Sequence, residues 1–97
     1  MSASYGIFGG APKGWARLRF TAERARWVRN EQWHPDQKSV VHKDGTLELE
    51  VPYSDERELL GDVLRYGQDV EVLAPAALRR QIAAIAAEIS RLNSGRA

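Results

Sequence analysis

Residues 15–20 alternate without a break. Ala16, Leu18 and Phe20 fall on one face and Trp15, Arg17 and Arg19 on the other, the period-two pattern of a strand with one buried side. Residues 46–53 repeat it, setting Leu47, Leu49, Val51 and Tyr53 against Glu48 and Glu50. Asp44-Gly45 tolerates positive φ at both turn positions and so predicts a tight hairpin joining residues 37–43 to 46–53. Residues 70–73, Val-Glu-Val-Leu, make a last short strand.

Elsewhere the spacing turns helical. Thr21 can cap a short helix over residues 22–29, because its hydroxyl accepts from a first-turn amide. That helix must end before His34, which Pro35 pushes toward an extended conformation. Ser54 or Asp55 caps a second helix. Asp55 with Glu58 three residues on has the form of a capping box, Leu59, Leu60, Val63 and Leu64 form the apolar stripe, and Gly67 supplies the stop. Pro75 suits the first position of a third helix, whose Leu78, Ile82, Ile85, Ile89 and Leu92 are spaced four, three, four and three residues apart. The element order β-α-β-β-α-β plus a C-terminal helix predicts an α+β fold on the ferredoxin-like, split β-α-β plan.

At 97 residues the chain has room for one domain, with a core small enough that partner contacts would add usefully to its stability. Its net charge of +1 gives no push toward nucleic acid. The charge is nonetheless uneven: residues 13–29 carry six basic side chains against Glu23, and residues 44–62 carry seven acidic ones against Arg57. No cysteine is present, so disulfides and thiolate metal sites are excluded. The longest apolar runs fall far short of the ~18 residues a membrane span needs, and no signal-peptide pattern opens the chain. A cytoplasmic setting without a membrane partner is the simplest expectation.

If the sheet takes the usual ferredoxin-like order, strands one and three are central. Arg17 and Arg19 then face Glu48 and Glu50, with Glu71 on the other side. One reading is a solvated, self-neutralised face; the other is a polar surface for a neighbouring domain, a second subunit or a small ligand. RNA-recognition motifs share the plan but place stacking aromatics and basic groups on the central strands, where this chain has Glu48 and Glu50. His34 and His42 lie on different predicted elements, so no metal site is expected, and no cofactor is implied. Trp33, His34 and Gln37 either tie down the crossover loop, with Trp33 plugging the core, or meet a ligand or neighbouring domain. Trp27 points away from Ala22, Ala25 and Val28. It is either an interface residue or covered by Arg24 or a loop. The stripe of Leu78, Ile82, Ile85 and Ile89 either packs on its own domain or reaches a partner. Neither a nucleophile-base arrangement nor a phosphate loop nor a paired catalytic carboxylate stands out, so no enzyme is expected.

Several residue groups occur in a distinctive order: Ala25-Arg26-Trp27-Val28, Trp33-His34-Pro35-Asp36-Gln37, Asp44-Gly45-Thr46-Leu47, Gly67, Val70-Glu71-Val72-Leu73-Ala74-Pro75 and Leu78-Arg79. Together they resemble the C-terminal extension, or WCX domain, of WYL-domain transcriptional regulators. The resemblance implies a connector from an upstream WYL domain over residues 1–14, a WCX-like domain over 15–93 and a tail over 94–97. It further implies a dimerisation module that couples effector sensing to DNA binding by a helix-turn-helix domain. The partners it implies are a second copy and the WYL domain of the parent chain, with DNA reached only through the helix-turn-helix. Two rivals remain. One is a nucleotide- or small-anion-sensing module using Arg17, Arg19 and His34; the other is a nucleic-acid binder using the arginines between Arg17 and Arg29.

Overall fold

The computed structural model describes residues 14–94. The connector expected over residues 1–14 and the tail expected over 94–97 lie outside them except at Gly14, which is in the first strand, and Ser94, which ends the last helix.

The alternation at the start of the chain becomes β1 (Gly14–Phe20), and Thr21 then starts α1 (Ala22–Val28) by accepting from the Arg24 N–H. A connection through Trp33 leads to β2 (Lys38–Val41), and the hairpin returns as β3 (Leu47–Tyr53). Next come α2 (Glu56–Tyr66), a 3-10 turn (Gly67–Asp69), β4 (Val70–Ala74) and α3 (Ala76–Ser94). The result is an α+β fold with one four-stranded antiparallel sheet, ordered β2-β3-β1-β4, and three helices. β1 and β3 are central and pair in register, Arg17 opposite Glu50 and Arg19 opposite Glu48. Arg19 also lies opposite Glu71 of β4.

Only one face of the sheet builds the core. Ala16, Leu18 and Phe20 from β1 meet Leu47, Leu49 and Val51 from β3, and Val28, Leu59 and Val63 close over them from α1 and α2. Each of the Val, Leu and Phe side chains among them, fully removed from water, contributes roughly 1.5–3 kcal/mol before conformational entropy is counted. Val72 and Leu78 extend this core to β4 and the first turn of α3.

Three local expectations need adjusting, and the choice of cap for α2 falls on Asp55. The hairpin is not a two-residue turn. Gly45 N–H donates to the His42 carbonyl and His42 N–H to the Thr46 carbonyl, enclosing a three-residue loop in which only Gly45 has positive φ, at 90°. Asp44 instead uses its carboxylate to accept from the Thr46 hydroxyl and N–H. β2 is shorter than residues 37–43, because Gln37 is drawn into the preceding loop and His42 into the turn. At α2, the Asp55 side chain accepts from Arg57 N–H. Finally, α3 begins at Ala76, so Pro75 precedes the helix, and its carbonyl accepts from Arg79 N–H.

Gly45 is the one turn position that a side chain would strain on two counts: its φ, and an added Cβ lying 3.0 Å from the Ala22 Cβ. Gly45→Ala is expected to lower stability by at least about 1 kcal/mol, read as a lower urea midpoint at unchanged slope.

Candidate functional site

The chemistry of this chain is concentrated in three places: the crossover loop, the open face of the sheet and the outer side of α3.

In the crossover loop, the Gln37 side-chain carbonyl accepts from the backbone N–H groups of Trp33 and His34, at 2.5 and 3.1 Å. Its amide donates to the Glu31 carbonyl at 3.0 Å. One side chain thus satisfies three backbone groups that no helix or strand could serve. The Glu31 carboxylate accepts from the Trp33 indole N–H at 3.1 Å and from the Tyr66 hydroxyl at 2.7 Å. Trp33 is fully buried, stacks on Tyr66 at 5.9 Å and meets Phe20 edge-on at 6.1 Å. Its indole has no free surface for a ligand, and Gln37 spends its side-chain carbonyl and one of its two amide N–H groups on the loop. His34 Nδ1 accepts from Asp36 N–H within a local turn. Beside this cluster, Arg24 pairs with Asp69 at 3.1 Å and lies over the Tyr66 ring.

On the open face, Arg17 sits between Glu50, at 3.5 Å, and Glu48, at 3.9 Å. Glu48 also lies 3.2 Å from His42 Nε2, without the alignment of a hydrogen bond. The Lys38 ammonium stands 5.4 Å above the Trp15 ring. Glu71, the carboxylate across from Arg19, is taken by Arg79 of α3 at 3.2 Å. Arg19 therefore has no ion pair among the described residues despite standing opposite Glu48 and Glu71. Arg19 borders a pocket of about 220 Å³, but Asp69 and Glu71 line it too, and two carboxylates oppose an anionic ligand there. Arg17, Arg19 and His34 do not form one site: the arginines project from β1 and His34 turns the loop before β2. Among the described residues, no group of three His, Asp or Glu side chains is arranged to hold a metal ion, and no helix is long and apolar enough to cross a membrane.

The stripe along α3 divides in two. Leu78 is buried, and Ile82 packs against the core. Ile85 is half-buried, whereas Ile89 and Leu92 are 50% and 66% exposed. Between α2 and this outer half runs a groove of about 360 Å³ that includes Val63, Leu64, Ile82 and Ile89. Trp27 on α1 is 61% exposed, because Arg24, which could have covered it, turns to Asp69 and Tyr66 instead.

Sequence reasoning did not find Glu31, Tyr66 or Arg79. Glu31 and Tyr66 meet across 35 positions, and nothing in either one's local pattern points to the other. Arg79 could have been suspected, since a basic residue one turn into a helix that follows an edge strand can reach back to it.

The fold and these surfaces define a small α+β module with one polar sheet face and an exposed apolar half of its last helix. The sequence pattern of the WCX domain matches residues 12–90, and the chain belongs to that family. No curated protein matches it.

Tyr66 gives the loop network a pH signature. Its hydroxyl is pushed up from 10.0 to about 12, first by burial and then by the hydrogen bond to Glu31. The folded state therefore holds this proton more tightly than the unfolded chain. That contribution to stability is fully present below pH 10.0 and lost as pH rises toward about 12. Near-ultraviolet titration should show one tyrosine ionising late, and Tyr66→Phe should remove this transition and flatten the alkaline loss of urea stability.

Proposed function

We propose that the chain is a non-catalytic interaction module of a WYL-type transcriptional regulator. In this reading it joins two copies of the regulator and couples effector sensing by a WYL domain to DNA binding by a helix-turn-helix domain, both elsewhere in the parent protein. Membership of the WCX family supports the regulatory setting. We further read the strand order β2-β3-β1-β4, with α1 and α2 packed on one core, as the ferredoxin-like plan with an added helix.

The observation that carries the homodimer is that α3 outlasts its own packing. A helix 19 residues long uses Leu78 and Ile82 for the domain and leaves Ile89 and Leu92 in water beside an apolar groove. Apolar seams of this kind gain their stability by meeting another helix. The nucleotide-sensing alternative draws less support, since Arg17 is already engaged by two carboxylates and His34 lies away from it.

Light scattering across a dilution series tests the dimer. The chain of 10.9 kDa is expected at twice that mass when concentrated. Ile89→Asp should return it to the monomer with an unchanged circular dichroism spectrum. A wild-type monomer at all concentrations, or an Ile89→Asp variant that still dimerises, would rule out this interface.

A further inference from the structure

The two edges of the sheet are treated differently. β4 is closed by α3, which packs along it, while Arg79 Nη1 donates to the Val72 carbonyl at 2.8 Å and reaches Glu71. β2 has no such cover among the described residues. Its four residues are all exposed, with Val40 at 57% and Val41 at 53%. Natural sheets blunt an edge of this kind with a short strand, charge, proline or a bulge; β2 is short and carries Lys38, but Val40 and Val41 leave its second half apolar and exposed.

The geometry of this edge suits an added strand. His42 N–H is directed inward, to the Thr46 carbonyl at 2.8 Å. Inward and outward residues alternate along an antiparallel strand, so Ser39 and Val41 turn their N–H and C=O groups away from β3. Their side chains, opposite Leu49 and Leu47, are on the helix-bearing face. There Val41, Ala22 and Ala25 line a shallow apolar groove of about 160 Å³, flanked by Arg26 and Arg29. Neither arginine has an ion pair among the described residues, nor does Lys43 at the end of the strand. Lys38 at its other end stands over the Trp15 ring and has no ion pair among the described residues.

We propose that the β2 edge is a docking site for an extended acidic segment of a partner protein, which pairs with β2 as a fifth strand. Carboxylates on the helix-bearing face would lay their methylenes in the groove and place their charge on Arg26 and Arg29. Apolar residues on the opposite face would cover Val40. Main-chain bonds to Ser39 and Val41 would supply affinity, and the charges would supply selectivity. Charge also decides against a second copy of this chain, because pairing two β2 edges would bring Lys38, Lys43, Arg26 and Arg29 of one copy against those of the other.

The test is an amide-resolved NMR titration of the full chain with an end-blocked peptide, Glu-Val-Glu-Val-Glu-Val-Glu. Saturable shifts are expected at Ser39, Val40, Val41 and along α1. The counterpart with Lys in place of Glu should produce none. Val41→Pro and Ser39→Pro each remove one outward N–H without touching the β2–β3 ladder, and either should abolish binding while the spectrum stays dispersed. Reversing Arg26 and Arg29 to Glu should weaken the acidic peptide by about tenfold or more and admit the basic one. Absence of saturation, equal binding of both peptides, or binding by either folded proline variant would overturn the proposal. Self-association that Val41→Pro abolishes would give the edge to a second copy and overturn it as well. Because this site is on the opposite edge of the sheet from α3, its failure is separable from failure of the α3 dimer.

Discussion

The connection between α1 and β2 depends on one carboxylate. Glu31 holds the Trp33 indole N–H and the Tyr66 hydroxyl on the same oxygen, and its carbonyl takes the Gln37 amide. A tryptophan can be fully buried only if its N–H finds an acceptor, and a loop can enter the core only if its backbone groups are satisfied. Glu31 and Gln37 meet both conditions at once. Removing either partner would leave a polar group without a bond at a cost of about 1–3 kcal/mol. The consequence reaches further than the loop: with Trp33 fixed against Phe20 and Tyr66, the chain is committed to where β2 begins. From that start the strand runs to the turn closed by His42 and Thr46, which fixes the register in which Lys38 faces Glu50 and Val41 faces Leu47.

Charge then sorts the surfaces. Along the centre of the open face, Arg17 is shared by Glu48 and Glu50, and Glu71 is claimed from outside by Arg79. Exposed pairs of this kind add little stability, about 0–1 kcal/mol each. Their larger effect is to cancel field, leaving no basic platform on the sheet for a nucleic-acid backbone. Arg19 stays without an ion pair on that face, and a cluster of cations without ion pairs among the described residues, Arg26, Arg29 and Lys43, gathers around the β2 edge. The uneven charge along the sequence is thus partly erased by folding and partly concentrated by it.

Much of this architecture was legible in the chain itself. Alternation of size and polarity identified β1 and β3 and the residues they bury, since period two admits only one face for Leu18 and Leu49. Thr21 and Gly67 bounded their helices as capping chemistry requires. The opposition of Arg17 to Glu50 followed from the strand order. What sequence could not supply was choice among partners. Arg19 had two candidate carboxylates and took neither, because Arg79 reached Glu71 first and Glu48 turned to Arg17 and His42. The turn at Asp44-Gly45 lengthened by one residue because Asp44 found Thr46, which also holds its carboxyl below the usual range. The stripe on α3 read as one continuous seam, yet only contact with β4 and α2 decides where it leaves the core. The Trp33 loop showed its residues but not its acceptor, because Glu31 and Tyr66 come together only after α2 has packed.

The position of the two surfaces in the sheet bears on how such a module could work. β2 and β4 are its opposite edges, separated by β3 and β1, so three strand spacings of ~4.8 Å place them about 14 Å apart. α3 covers the β4 side and carries Ile89 and Leu92 beyond it, while β2 forms the other edge, with Val41 on the helix-bearing face and Val40 on the open one. A strand added at β2 would pull on the same β3 that anchors Arg17 and the core leucines, and so would act on the rigid centre rather than on a mobile tip. On the two proposals made above, a second copy would be held through the terminal helix and a segment of a neighbouring protein through the opposite strand edge, so that the two contacts would use different parts of one sheet-and-helix unit.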